Sequence, residues 1–456
     1  MSSTRPGLLI ICTLLAVLES GCGSREVAGP GVAPRPGMVD ARARLDGALR
    51  DAAGDMARCG FEPAEVEAVS AALRNAAAYS SQPEWLDMYR AIQEGEDLSP
   101  QFGWFRTAVS QSRYGWDATL QRYNRDADLR LSRVEFPGDD TDMARLDRDH
   151  DGFLSREDFD LAAAPQVPSP GRAFFLKADR DGNGKVSREE FDRFFTAADR
   201  DGLGFLSGTD LETILPASMA HGQPPDERPS RDMLLRGLFR QEFGSLQSGP
   251  NLDDRAPDFR LRTNDGKTQV SLSGMIGPRP LVLIFGNFTC GPFRYHAGNL
   301  EKLFRRYRER ANFLMIYVRE THPADGWRMQ SNETIGISAI QPRTWDQRAD
   351  VARRCGRLLG LGFPMLVDTI DDGVATQYSG MPARLYLIDR MGKIAYKGGR
   401  GPYGFKPDEL EQALILLLND VDDRKSKAVE HDGSRGVDGW ERRPAVRASQ
   451  ARSTRS

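Results

Sequence analysis

Residues 279–293 have the sequence RPLVLIFGNFTCGPF, which combines an apolar strand with a single cysteine at the start of a helix. Residues 281–285 are uncharged and rich in branched side chains, which is typical of a parallel strand covered on both faces. Gly286 opens a turn, and Pro292 suits the first turn of a helix. Cys290 is therefore predicted to face the free amides of a helix N-terminus, where the dipole lowers the pKa of a thiol below about 8.5. We expect a redox-active thiolate; the alternative is a buried cysteine that serves as a small apolar residue.

The surrounding region alternates strands with helices. Strands are predicted in the segments DFRL, QVSL, LVLIF, FLMIYV, MLVD, LYLID and KIAYKG, and helices near residues 299–310, 346–359 and 407–418. This alternation indicates an α/β sheet.

Four acidic loops precede this region, and they resemble EF-hands over residues 118–216. The third loop fits D-x-[DN]-x-[DN]-G-x5-E throughout and the second nearly so, which supplies the oxygens that Ca²⁺ needs. The first loop has Leu129 in place of glycine, and the fourth has Leu203 in place of a ligand, so these two either bind metal or only pair with a functional loop. The predicted ligands are Asn124, Asp126, Asp128, Arg130 and Glu135; Asp147, Asp149, Asp151, Phe153 and Asp158; Asp179, Asp181, Asn183, Lys185 and Glu190; and Asp199, Asp201, Phe205 and Asp210, where the residue at loop position 7 contributes its backbone carbonyl.

The amino terminus resembles a bacterial lipoprotein signal, with Arg5, an apolar run over residues 8–18 and then ESGC. The resemblance implies that Cys22 is lipidated and becomes the mature N-terminus; a plain secretory signal is the alternative. The apolar run is too short to span a bilayer as a mature helix. We therefore expect an exported protein of the cell envelope, anchored to the membrane as a lipoprotein, or otherwise periplasmic or secreted.

The redox region carries two resemblances. The segment APDFRL and the strand that leads to Cys290 resemble thioredoxin-fold redoxins and peroxiredoxins, and Pro382 lies where that fold has a cis-proline. The residue three positions after Cys290 is Phe293, so no Cys-x-x-Cys pair exists and ordinary dithiol exchange is not expected.

The second resemblance, over residues 278–418, is to the iodothyronine deiodinase family. It rests on RPLVLIFGNFTCGPF, FLMIYVRETHPADGW, LVDTIDD and ARLYLIDRMGKIAYKGGRGPYGF. The resemblance implies that Cys290 replaces the usual selenocysteine nucleophile, with sulfur acting more slowly than selenium. It also implies supporting roles for Thr289, Tyr317, Glu320 and His322, and a substrate contact for Arg384. Pro342 departs from the family, which has a histidine there.

The residues themselves suggest a chemistry for this site. Glu320 and His322 are two positions apart at a strand end, so the carboxylate is predicted to orient the imidazole for general acid/base work; the alternative is a surface turn. Arg384 could pair with a substrate carboxylate or be solvated. His296 is a rival base, and Cys355 is a core residue or a resolving thiol.

These segments predict a multidomain chain in which an all-α EF-hand region is followed by an α/β thioredoxin-like domain. The length of 456 residues suits several domains, and the net charge of −3 without a basic stripe argues against nucleic-acid binding. The predicted parts are a signal (1–22), a tether (23–38), a helical region (39–117), the EF-hand domain (118–216), a linker (217–250), the thioredoxin-like domain (251–420) and a disordered tail (421–456).

The predicted function is a calcium-binding, thiol-dependent oxidoreductase. Cys290 would attack a halogen or a peroxide oxygen of a small molecule, and an external thiol would regenerate it. One alternative is a peroxiredoxin-like peroxide reductase. Another is a non-enzymatic calcium-binding surface protein with a redoxin scaffold, in which Cys290 would not be alkylated at about pH 6 as a thiolate would be.

Overall fold

The LVLIF segment forms a central strand of an eight-stranded sheet. The computed structural model describes residues 36–78, 83–95, 109–161, 170–215, 229–242 and 244–420, so the predicted signal, the lipidation site Cys22 and the tail lie outside the described residues. The strands are β1 (Gln111–Ser112), β2 (Arg260–Thr263), β3 (Gln269–Ser271), β4 (Leu281–Gly286), β5 (Asn312–Tyr317), β6 (Met365–Val367), β7 (Arg384–Ile388) and β8 (Ile394–Lys397).

The sheet order is β1-β8-β7-β4-β5-β6-β2-β3. Strands β4, β5 and β6 run parallel, whereas β7 and β8 add antiparallel neighbours on the other side of β4. A cis peptide bond joins Met381 to Pro382 just before β7. This arrangement is thioredoxin-like, and every strand predicted in the redox region is present. Strand β1 comes from the region predicted to be helical and pairs with β8.

The apolar run of β4 is continuous because both faces of the sheet are covered. Val282 and Ile284 face a core shared with helices that follow β4, whereas Leu283 and Phe285 pack against Tyr378 and its neighbours on the opposite face. Alternation of side chains along the strand therefore builds two cores at once.

Sixteen helices accompany the sheet in the described residues, joined by turns and loops. Their bounds are α1 (Pro36–Arg58), α2 (Pro63–Ala78), α3 (Glu84–Glu94), α4 (Trp116–Tyr123), α5 (Asp140–Leu146), α6 (Arg156–Phe159), α7 (Pro170–Ala178), α8 (Arg188–Ala198), α9 (Gly208–Ile214), α10 (Arg231–Phe239), α11 (Gly291–Tyr295), α12 (Ala297–Tyr307), α13 (Gln330–Thr334), α14 (Trp345–Leu359), α15 (Gly373–Gln377) and α16 (Pro407–Asn419). The three helices predicted in the redox region correspond to α12, α14 and α16. No described helix is long and apolar enough to cross a membrane.

Two segments differ from the sequence predictions. Helix α1 begins at Pro36, inside the predicted tether, because proline is well suited to the first turn of a helix. Helix α10 lies in the predicted linker, where Leu234, Leu235 and Phe239 supply an apolar face. That face packs with α1, α2 and α3 in one core, so this part of the linker belongs to the helical region.

The EF-hand region shares a core with the thioredoxin-like region. Leu131, Leu146 and Leu154 belong to the same buried cluster as Leu414 of α16. The first and second acidic loops are joined by an antiparallel bridge between Leu131 and Leu154. Helices α7, α8 and α9 around the third and fourth loops form a smaller core that contains Phe194.

Candidate active site and calcium loops

Cys290 lies at the junction between β4 and the next helix. It is the N-cap of α11, which ends after five residues at Tyr295 before α12 begins at Ala297. The thiol-bearing residue is only 2% exposed. The strand–turn–helix placement predicted from the sequence is therefore confirmed, but the short helix supplies few aligned peptide dipoles.

The prediction of a thiolate at rest is wrong. Burial raises the pKa of Cys290 to about 11, although the Phe293 amide and the Arg294 charge act in the opposite direction. Desolvation of a charged sulfur outweighs the helix N-terminus when almost no solvent reaches the group. Cys290 is consequently a thiol at neutral pH, and a base must remove its proton before it can attack a substrate.

Glu320 organises the turn that precedes Cys290. Its carboxylate accepts a hydrogen bond from the Thr289 amide at 2.9 Å and another from the Tyr317 hydroxyl. The Tyr317 oxygen in turn accepts a hydrogen bond from the Phe288 amide at 3.0 Å. Burial raises the pKa of Glu320. Three of the predicted site residues therefore meet at the backbone of the nucleophile turn.

His322 joins the same turn through its backbone, since its amide donates to the Thr289 hydroxyl at 3.0 Å. Its ring Nδ1 lies 3.2 Å from the Trp327 carbonyl, and burial lowers the pKa of the imidazole to about 4. A carbonyl only accepts, so Nδ1 carries the proton and Nε2 keeps its lone pair. The prediction that Glu320 orients this ring is wrong, because the Glu320 carboxylate is engaged by Thr289 and Tyr317 while Trp327 holds the imidazole.

Buried amide side chains that the sequence reasoning missed complete the site. Asn287 donates to Pro382 O at 3.0 Å and accepts from the Thr289 hydroxyl at 3.2 Å. Asn332 donates to Thr289 O at 2.9 Å. A signal for Asn287 was present, since an amide inside an apolar strand-to-helix turn needs buried partners. Asn332 has no such local signal.

Gln341 and Pro342 occupy the segment in which the family has a histidine. The Gln341 side chain exchanges two hydrogen bonds of 3.0 Å with the backbone of Glu320, so it supports the site without a titratable group. Both residues line a cavity of about 210 Å³ that also includes Met381, which precedes the cis-proline.

Arg384 is not open to a substrate in this structure. It is 2% exposed, donates to Ser248 O at 3.0 Å and lies 3.3 Å from the Glu84 carboxylate. Arg400 also contacts Glu84 at 3.2 Å. Burial alone would raise the pKa of Glu84, but the charges of Arg400 and Arg384 outweigh it and hold this pKa at about 2. The predicted substrate contact is thus replaced by an internal carboxylate.

The two remaining candidates lie in apolar surroundings. His296 packs between Tyr295 and Phe405, and burial followed by the charge of Arg172 lowers its pKa to about 4. Cys355 is fully buried, and this burial raises its pKa. Cys355 is therefore a core residue, as the sequence favoured, and no disulfide joins the cysteines of the described residues.

The acidic loops share one backbone geometry. Positions 4 and 6 have positive φ in all of them, including Leu129 at 66° where the motif has glycine. The carboxylates at position 12 accept from serine hydroxyls at position 9, as Glu190 does from Ser187 at 2.9 Å. The degenerate first loop therefore keeps the EF-hand backbone.

The second and third loops also have oxygen atoms placed to bind a cation. Carboxylate oxygens converge within 4.8 Å of one another in the groups Asp147, Asp149, Asp151 and Asp179, Asp181, Glu190. Asp147 Oδ1 and Asn183 Oδ1 are buried without a hydrogen-bond partner among the described residues. Oxygens that are buried, unpartnered and grouped with carboxylates suit a hard cation such as Ca²⁺.

The sheet order and the strand–turn–helix unit around Cys290 define a thioredoxin-like domain joined to EF-hand loops. A model of the family "Iodothyronine deiodinase" matches residues 233–416, and a model of the "EF-hand domain pair" matches residues 143–196. The chain belongs to the iodothyronine deiodinase family, and it is an enzyme of the deiodinase type.

Two curated deiodinases show this relationship directly. The chain is 37% identical over 180 residues to a type I iodothyronine deiodinase of Xenopus laevis, covering 40% of this chain and 69% of the relative. It is 31% identical over 208 residues to a thyroxine 5-deiodinase of Gallus gallus, covering 43% and 79%. Among solved structures, a secreted thiol-disulfide isomerase from Corynebacterium glutamicum aligns with a TM-score of 0.27 and 16% identity, covering 36% of this chain and 85% of that one.

Proposed function

We propose that the domain over residues 251–420 is a thiol-dependent reductase that removes halogen from a halogenated aromatic molecule. The observation that supports this most directly is the hydrogen-bonded turn around Cys290. Thr289, Tyr317 and Glu320 hold the backbone before the thiol, and His322 is attached to the same threonine. In a deiodinase-family domain, this arrangement attaches the backbone of a histidine to the turn that carries the nucleophile.

The proposed reaction consumes two external thiols. Cys290 loses its proton and its sulfur attacks the iodine of an aryl iodide, so that a sulfur–iodine bond forms and the carbon–iodine bond breaks. The aryl carbon takes the bonding electron pair and a proton. One external thiol then displaces iodide from the sulfur to form a mixed disulfide, and a second thiol releases Cys290 and a disulfide. The carbon is reduced by two electrons, and the two thiols supply them.

His322 is the proposed proton acceptor for the Cys290 thiol. The pKa of about 4 keeps the imidazole neutral at pH 7, and the Trp327 carbonyl leaves Nε2 as the basic atom. Glu320 has a positioning role, because its carboxylate holds the Thr289 amide and the Tyr317 hydroxyl. Arg384 would contact a substrate carboxylate only after Glu84 has moved away.

Iodide release tests this function. Wild-type protein and the Cys290→Ser variant are incubated with an iodinated phenol or an iodothyronine and excess dithiol, and Cys355→Ser serves as a matched thiol control. We expect iodide release from the wild type and from Cys355→Ser, and none from Cys290→Ser. If folded, reduced wild-type protein releases no iodide from either substrate, the proposal is rejected.

A second candidate is peroxide reduction. Because Arg384 is buried and paired with Glu84, the site favours a small peroxide over a large substrate that carries a carboxylate. In that reaction the Cys290 sulfur attacks a peroxide oxygen and becomes a sulfenic acid while the alcohol leaves, and two external thiols restore the thiol. Peroxide consumption that depends on Cys290, without iodide release, would select this candidate. Absence of both activities from folded, reduced wild-type protein would favour the non-enzymatic scaffold role.

We further propose Ca²⁺ as the cofactor of the EF-hand region, bound by the second and third loops through their grouped carboxylates. Metal binding by the first and fourth loops belongs to the same proposal. Isothermal titration of the calcium-free chain would give the number of sites, and Asp181→Asn and Asp149→Asn would each remove one.

The organisation and location of the chain are part of the proposal as well. The all-α EF-hand region would precede the α/β domain, and Cys22 would carry a lipid that anchors the mature chain in the cell envelope. Metabolic labelling with a fatty-acid probe, compared between wild type and Cys22→Ala, tests the anchor.

A further inference from the structure

The third calcium loop packs directly on the helices that follow Cys290. A Cβ built on Gly184 would overlap the carbonyl oxygen of Arg294, and one built on Gly298 would overlap the carbonyl oxygen of Gly184. The Lys185 ammonium donates to the Leu359 carbonyl at 2.6 Å. The backbone of a calcium loop is therefore fitted against α11, α12 and the end of α14.

Arg294 connects this contact to the nucleophile. Its guanidinium is buried and donates to the Phe288 carbonyl at 2.6 Å, two residues before Cys290, and to Asn332 Oδ1 at 2.5 Å. Its Nε has no hydrogen-bond partner among the described residues and lies 3.9 Å from a Cβ built on Gly182. Arg294 thus meets the calcium loop through its backbone carbonyl and holds the turn that carries the thiol through its side chain.

The helix that leads into the loop adds a second contact. Phe175 of α7 packs edge-on against Tyr295 of α11 with ring centroids 5.1 Å apart, and the Arg172 guanidinium lies 4.9 Å from the same ring. The short helix α11 is therefore held from the loop backbone and from the helix before it. The second calcium loop instead contacts α16, where Arg148 donates to Gln412 at 3.3 Å.

We propose that the third loop, when it holds Ca²⁺, clamps α11 and keeps the turn around Cys290 in its buried conformation. Arg294 is the positioning residue that couples the calcium loop to this turn. Without the cation, the carboxylates of Asp179, Asp181 and Glu190 repel one another and the loop loosens, so its backbone no longer supports α11. This inference rests on the proposed role of Cys290 as the nucleophile and adds a calcium-dependent control of its accessibility.

Alkylation of Cys290 by iodoacetamide, followed at the peptide level by mass spectrometry, tests the clamp without a substrate. We expect Ca²⁺ to slow alkylation of the wild type by about fivefold or more, in the usual range of coupling between sites. Glu190→Gln should react at the calcium-free rate whether or not Ca²⁺ is present. Asp158→Asn, the same loop position in the second loop, should keep the calcium effect. An alkylation rate that Ca²⁺ leaves unchanged or raises in the wild type overturns the proposal.

A variant outside the loop tests the coupling from the other side. Gly298→Ala adds a methyl group that overlaps the Gly184 carbonyl, so we expect the calcium affinity of the third loop to fall by about fivefold or more, since coupling is reciprocal. Gly356→Ala is a matched control, because a Cβ there meets only the end of Met365 at 3.6 Å. Equal affinities in the two variants would contradict the inference.

Amide hydrogen exchange and variants of Arg294 separate the calcium clamp from the proposed reaction. Amide hydrogen exchange of residues 291–300 should slow when Ca²⁺ is added, which reports the clamp even where alkylation is slow. Arg294→Met should abolish the calcium effect on exchange of the Cys290 turn, whereas Arg294→Lys should retain part of it. Calcium protection without iodide release would reject the proposed reaction but not the clamp, and iodide release with calcium-independent exchange would reject only the clamp.

Discussion

Glu84 forms an ion pair with Arg384, which lies 300 positions later in the chain, at 3.3 Å. Arg400 contacts the same carboxylate from a second side at 3.2 Å. Helix α3 is thereby joined to the first residue of β7, the inner strand that pairs with β4, and the helical region contributes a buried charge next to the candidate site. A region without catalytic motifs thus closes the position to which the family resemblance assigns substrate contact.

Removal of this carboxylate should destabilise the chain strongly. In Glu84→Gln the guanidinium groups of Arg384 and Arg400 stay buried without a counter-charge, which costs about 3 kcal/mol or more of folding free energy. Urea denaturation at pH 7 measures the loss, and Glu94→Gln, an exposed glutamate on the same helix, is the control. A loss below about 0.5 kcal/mol would mean that the pair does not hold the helix to the sheet.

The reactivity of Cys290 should follow an alkaline titration. Because burial raises its pKa to about 11, the thiolate fraction and hence the alkylation rate should increase about tenfold per pH unit from pH 7 to pH 10. The measurement is the pH profile of iodoacetamide labelling of calcium-loaded protein. A plateau already reached at pH 8 would restore the thiolate predicted from the helix N-terminus and would contradict the buried thiol.

The strands, the longer helices and the acidic loops were predictable because their signals are local. Apolar runs such as LVLIF and the spacing of Asp179, Asp181 and Glu190 are visible within a few residues. The resemblance grouped Thr289 and Tyr317 with Cys290, and the structure brings both into the hydrogen bonds around its turn, while their catalytic roles stay predictions. The pKa of Cys290 and the pairing of Glu84 were not predictable, because burial and contacts between distant segments decide them.

His322 should make stability depend on pH. Its pKa is about 4 in the folded chain and about 6.5 in the unfolded chain, so the unfolded state binds more protons between these values. The neutral His322 ring therefore makes its full contribution to the free energy of unfolding above pH 6.5. This contribution falls by up to about 3 kcal/mol as the pH is lowered to 4. Urea denaturation between pH 4 and 7 should show a shallower decline for His322→Gln than for wild type. Because His296 contributes equally to both proteins, identical slopes would show that His322 is solvated when folded.

The hydroxyl of Thr289 joins the turn before Cys290 to the segment after β5, since it donates to Asn287 and accepts from the His322 amide. Thr289→Val has nearly the same shape but leaves the His322 amide without its acceptor, whereas Asn287 Oδ1 still accepts from the Thr321 amide at 3.2 Å. We expect this to cost about 1–3 kcal/mol in stability. It also frees the His322 backbone, so we expect kcat for iodide release to fall about tenfold or more, with a smaller change in KM.

Thr289→Ser separates this positioning effect from a general loss of packing. The serine hydroxyl can make the same two hydrogen bonds although it lacks the methyl group, so kcat should return to within about threefold of wild type. If valine and serine reduced kcat equally, the methyl group rather than the hydroxyl would matter, and the attachment of His322 to the nucleophile turn would have no catalytic role. If valine left kcat unchanged, another group would have to position the imidazole, and the Trp327 carbonyl would be the remaining contact to test.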